Sequence, residues 1–114
     1  MDGFGGNGAK AYKCSNCGAV VTSSDRLLAI NGTNRHHFIN PMGLHCEFYT
    51  FASCPGALPL GAPTEAYTWF PGYDWCLALC LHCREHLGWQ YVAASRKERP
   101  SEFWGLLVPH LQII

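Results

Sequence analysis

The chain has 114 residues, enough for one domain and too few for two separate cores. With 48% hydrophobic and 14% charged residues it is a folded chain, and its equal counts of cationic and anionic residues supply no basic patch. Phosphate-driven nucleic-acid binding is therefore not expected, and no run reaches the roughly 20 apolar residues of a membrane span.

The Gly-rich start, residues 1–10, is expected to be a flexible tail, leaving residues 11–114 as a single domain. From Ala11 a short strand runs into the knuckle Cys14-Ser-Asn-Cys17-Gly18, where Gly18 eases the tight turn. Leu27, Leu28 and Ile30 look buried, and Asn31-Gly32 signals a turn. Strands are expected at RHHFIN and at LHCEFYTFA, on either side of Asn40-Pro41. CPGALPLGAP, with three prolines and two glycines, predicts a loop, and Thr64 to Phe70 predicts a strand. Asp74 to Leu81 reads as a buried strand, Glu85 to Leu87 as one helical turn, and Trp89 to Ala93 as a strand. SRKERPSE is a solvated turn, and FWGLLV is a final strand or short helix.

Two Cys-x-x-Cys pairs, Cys14/Cys17 and Cys80/Cys83, lie about sixty residues apart. Each such turn can present two thiolates to one tetrahedral Zn²⁺, so a structural zinc site is expected. Four thiolates leave no open position for water, which argues against catalysis by that metal. The alternative is a pair of disulfides or a redox-active pair. Cys46, Cys54 and Cys76 remain as buried thiols, with a Cys46–Cys54 bridge as the alternative in an oxidising compartment. His82 and His86 flank the second knuckle as surface or packing residues.

Three of the four tryptophans, Trp69, Trp75 and Trp89, crowd around a Pro-Gly turn and the second knuckle. They can be core, or they can wall a dry, directional pocket. Trp89 and Tyr91 are two apart, so on a strand they face the same side. A cation in such a box would want a carboxylate, for which Asp74 and Glu65 are the local candidates. A neutral planar ligand would want backbone donors and acceptors, which an extended Tyr67-Thr68-Trp69 would supply.

The ordered motifs TWFPGYDW, Cys-x-x-Cys, HLGW and EFWGLL, with the Asn40-Pro41-x-Gly43 turn, resemble the CULT domain, the thalidomide-binding domain family of cereblon. The resemblance runs from Lys13 to Leu107. It implies a mostly β fold, the β-tent, of two roughly perpendicular antiparallel sheets pinned by a four-cysteine zinc site. It also implies that Trp69, Trp75 and Trp89 form an aromatic cage, with Tyr91 as a fourth aromatic and Asn40 and Pro41 overhanging it. The ligand implied is a cyclic imide, either a small glutarimide or a peptide C-terminus, with its polar edge paired to backbone at Tyr67 and Trp69. Where the family carries His, this chain has Tyr67. A monomer without enzymatic activity is expected, in the cytoplasm unless a signal peptide has been removed.

Two rivals remain at this stage. Methionine sulfoxide reductase of the B type has similar knuckles, but here Trp89 stands where a histidine is wanted and no cysteine follows Cys83. An aromatic-cage reader of methylated ammonium groups is the second.

Overall fold

The computed structural model describes residues 8–113, so most of the expected tail and the last residue lie outside the described residues. Nine strands form among the described residues: β1 Ala11–Cys14, β2 Val20–Ser23, β3 Arg35–Ile39, β4 His45–Phe51, β5 Ala57–Thr64, β6 Tyr73–Cys80, β7 His86–Ala93, β8 Glu102–Leu107 and β9 Leu111–Ile113. They make two antiparallel sheets, one of order β2-β1-β9 and one of order β3-β4-β8-β7-β6-β5. This is the mostly β, two-sheet architecture expected from the sequence.

Register in the larger sheet sorts the core into two layers, because alternate residues face opposite sides. Trp75 pairs with Tyr91 and Tyr91 with Phe103, while Leu77 pairs with Trp89 and Trp89 with Gly105. These columns share one face, where Phe48, Phe70, Tyr73, Tyr91 and Phe103 are buried together. The intervening columns, Cys76–Gln90–Trp104 and Ala78–Gly88–Leu106, share the other. There Ala78, Trp104 and Leu106 pack with Tyr12, Val21 and Leu111 of the smaller sheet. One sheet thus carries the inter-sheet core on one side and the clustered aromatic rings on the other.

Three local expectations are overturned. CPGALPLGAP is not all loop, since Ala57–Thr64 forms β5. Its prolines are tolerated because β5 is an edge strand, where a missing N–H costs no ladder bond, and a bulge between Leu60 and Thr64 absorbs Gly61 at φ 86°. Thr64 to Phe70 is not a strand beyond Thr64; Tyr67 takes φ 57° and the segment turns away from the sheet. Glu85 to Leu87 is not a helical turn, because Leu87 is fully buried in the inter-sheet core and β7 already begins at His86. The C-terminal expectation also stopped short. After β8 a 3-10 turn, Val108–His110, returns the chain to pair β9 with β1. The inner end of the expected tail is held, as Lys10 exchanges hydrogen bonds with Ser24.

At Gly88 the two central strands leave no room for a Cβ. A Cβ there would lie 1.9 Å from the Gly105 carbonyl oxygen, a backbone atom that cannot move aside cheaply. Gly88→Ala is expected to cost about 3 kcal/mol or more of stability, read as a lowered urea midpoint.

His36 is buried beside the rings of Phe38 and Phe48, with Nε2–H donating to the Thr33 carbonyl at 2.9 Å. Burial pulls its pKa below the ordinary 6.5, and does the same for His86. The unfolded chain therefore takes up these protons more readily than the native one, so stability is lost as pH falls below about 6.5. Melts of zinc-loaded protein between about pH 7 and pH 5.5 should show that loss, and it should be smaller in His36→Gln.

Candidate metal centre and aromatic cage

The knuckles meet at the end of the molecule where β1 and β6 finish. Each turn is closed the same way: the Gly18 N–H donates to the Cys14 carbonyl at 2.8 Å, and the Arg84 N–H to the Cys80 carbonyl at 2.9 Å. Both closing residues take positive φ, 80° at Gly18 and 69° at Arg84. The four sulfurs of Cys14, Cys17, Cys80 and Cys83 lie within 4.8 Å of one another, with Cys14–Cys83 and Cys17–Cys80 both at 3.7 Å. A tetrahedron with zinc–sulfur bonds of about 2.3 Å has edges of about 3.8 Å, so the donor set fits the ion. Disulfides, at about 2.05 Å, are a different geometry, and all seven cysteines are free.

Electrostatics agrees with a cation-dependent cluster. Burial pushes the Cys14 thiol up to about 12. The Asn16 carboxamide, donating to Cys83 Sγ at 3.4 Å, leads the causes that draw that thiol down to about 7. Buried thiolates crowded together need a positive charge at their centre. His82 and His86 lie outside this set, and His86 Nε2–H donates to the Gly88 carbonyl at 2.9 Å.

On the far face of the large sheet, Trp69, Trp75 and Trp89 surround a cavity of about 300 Å³. Trp69 and Trp89 meet nearly at right angles, 85° with ring centroids 5.2 Å apart. Trp69 lies flat on Phe38 at 5.1 Å and on Phe48 at 5.7 Å, and Phe48 meets Trp89 edge-on. Each such ring pair adds about 0.5–1.5 kcal/mol beyond burial, which fixes the two walls. Tyr91, only 2% exposed, lines the cavity from the sheet, stacked on Phe103 with ring centroids 4.9 Å apart. Gly105 keeps that region open, since a Cβ there would meet the Phe48 ring at 2.8 Å.

The segment Glu65–Phe70 supplies the upper rim, held by side chains because it has left the ladder. The Trp75 indole N–H donates to the Ala66 carbonyl at 2.7 Å, so this wall and the rim are tied together. The Thr68 hydroxyl donates to the Tyr73 carbonyl at 2.9 Å and accepts from the Phe70 N–H at 3.3 Å. Thr68 therefore shapes the rim, and its side chain is spent there; it is not among the cavity-lining residues. Tyr67 lines the cavity with 78% of its surface exposed. Neither Tyr67 nor Trp69 has its backbone N–H or C=O in a hydrogen bond among the described residues.

Asn40 and Pro41, on the turn between β3 and β4, also line the cavity. Asn40 Oδ1 accepts from the Met42 and Leu44 N–H groups, each at 2.9 Å, leaving its NH₂ as a free donor. The structure thus brings the indoles, Tyr91, Tyr67, Asn40 and Pro41 together. Met42, 84% exposed and lining the cavity, was not singled out in the sequence, although its place in the Asn-Pro-x-Gly turn carried the signal. Asp74 and Glu65 do not line the cavity.

Metal analysis should find one zinc per chain. Cys80→Ala, at a fully buried ligand, should lose the metal and the cooperative melt together.

Comparison with known proteins agrees with this picture. Cereblon of Danio rerio is 36% identical over 69 residues, covering 60% of this chain and 16% of that protein. Cereblon of Gallus gallus is 37% identical over 70 residues, again 60% and 16%. The chain thus spans about a sixth of the length of these relatives. The crystal structure of the Mis18 'Yippee-like' domain matches 93% of this chain and 95% of its own with a TM-score of 0.63, at 11% identity, a likeness of fold alone. The family described as Yippee zinc-binding/DNA-binding /Mis18, centromere assembly, matches residues 10–113. With its paired knuckles and two-sheet fold, the chain belongs to the Yippee-Mis18 family.

Proposed function

We propose that this is a non-enzymatic, CULT-like recognition domain whose cage takes an uncharged cyclic imide, either as a small glutarimide or at the end of a peptide. The observation that carries the reading is the unpaired backbone of Tyr67 and Trp69 at the rim of a cage of three indoles. An imide edge presents a carbonyl, an N–H and a second carbonyl in line, which suits a backbone acceptor flanked by donors. The Asn40 NH₂ at the cavity is a further donor, and the indole faces receive the ring's methylene edge. A cavity of about 300 Å³ sits at the small end of ligand sites and suits one ring, with any extension left outside.

Two other ligands fit less well. A methylated ammonium would lack a counter-charge, because no carboxylate lines the cavity. The family description includes DNA binding, yet no Lys or Arg lines this cavity, so we do not assign nucleic acid to it. The zinc is structural in this proposal: Cys14, Cys17, Cys80 and Cys83 hold it, and its charge stabilises their thiolates. No residue at the cage is disposed for bond breaking, and no cysteine follows Cys83 to serve as a reductase nucleophile.

Tryptophan fluorescence titrated with glutarimide should saturate at one ligand per chain, while trimethyllysine and a DNA duplex should leave it unchanged. Methylating the imide nitrogen should weaken binding about tenfold or more, because a buried acceptor then loses its donor. Trp89→Ala should abolish the response with a smaller effect on the melting midpoint. A response to trimethyllysine alone would overturn the proposal.

A further inference from the structure

On the solvent side of the β3–β4 hairpin, away from the thiolates, His37 and His45 stand together. His37 is registered opposite Glu47, and His45 opposite Ile39, so the two histidines are diagonal neighbours on one face of the ladder. His37 Nε2 and His45 Nδ1 are 2.9 Å apart, with the ring planes within 15° of each other. Both side chains are exposed. His36 and Phe38 alternate with them onto the inner face, where they pack against Phe48.

We propose that His37 and His45 form a second metal site, for a divalent transition cation that takes two imidazoles at a right angle, nickel(II) or copper(II). The distance carries the argument. Metal–nitrogen bonds of about 2.05 Å place two nitrogens about 2.9 Å apart at a right angle, and about 3.4 Å apart at the tetrahedral angle. In the metal-free protein an N–H···N hydrogen bond holds this separation, and the same spacing suits the square-planar or octahedral case, which nickel(II) and copper(II) favour over zinc. On binding, the N–H of the donor ring moves to its far nitrogen, so both neutral imidazoles turn a lone pair to the ion and each keeps one N–H, with no net release of a proton. Glu47 Oε2 is engaged by Arg35, at 2.9 Å from Nε and 2.8 Å from Nη2, so water completes the coordination sphere.

The backbone holds this pair ready. Strand pairing fixes both Cα positions, and the intervening turn is locked by Asn40, whose carbonyl and Oδ1 together accept from three backbone N–H groups. The site is therefore a property of the hairpin, whose turn also lines the cage.

The test is calorimetric titration of the zinc-loaded protein with nickel(II) chloride, with released zinc measured in the same samples. The proposal expects one nickel per chain with no zinc released. His37→Gln and His45→Gln should each weaken it at least about tenfold while retaining zinc and the melting midpoint, since both residues are exposed. Absence of nickel binding, equal binding by the double variant, or uptake matched by zinc release would each overturn the proposal.

Discussion

The four-thiolate cluster is the constraint from which the rest of the molecule follows. It joins the end of β1, in the small sheet, to the turn between β6 and β7, in the large one. Elements more than sixty residues apart in sequence are thus held at their tips by one centre. The inter-sheet core starts immediately beneath it, with Cys14 and Cys80 packed among Tyr12, Leu87 and Leu106. A three-stranded sheet of such short strands would be marginal alone, so cross-linking it to the larger sheet is what makes its packing persist.

The cage depends on that arrangement at one remove. Trp75 and Trp89 are carried by the two strands that enter and leave the second knuckle, so fixing the knuckle fixes their spacing. Trp69 comes from a segment outside the sheet, and stacking on Phe38 and Phe48 puts it in place. Thiolate cluster and aromatic cavity therefore lie at different depths of one scaffold. The knuckles govern the strands, and the aromatic rings govern the loop.

Much of this was legible in the sequence because it is written in spacing. The two Cys-x-x-Cys pairs specify a tetrahedral donor set, and the resemblance to CULT domains put the indoles and the Asn40-Pro41 turn at one site. What was not legible was tertiary. The prolines of β5 point to a loop by every local rule, and only its position at the sheet edge lets them stay in a strand. Thr64 to Phe70 has strand-like residues, yet Thr68 bonds the Phe70 N–H and the Tyr73 carbonyl, Trp75 bonds the Ala66 carbonyl, and the segment stays out of the ladder. That departure is what leaves the Tyr67 and Trp69 backbone groups unpaired, so the error in secondary structure falls at the candidate site itself. The pairing of Leu111–Ile113 with β1 left no periodic signal, since three residues are too few to show one.

The central claim is that zinc organises the scaffold and that the cage exists only on that scaffold. Stepwise return of zinc to metal-free protein, followed by near-ultraviolet circular dichroism of the indoles, tests it directly. The account predicts that the signal of asymmetrically packed tryptophan rises in proportion to bound zinc and stops at one ion per chain. A full-strength indole signal in protein shown to contain no metal would contradict it.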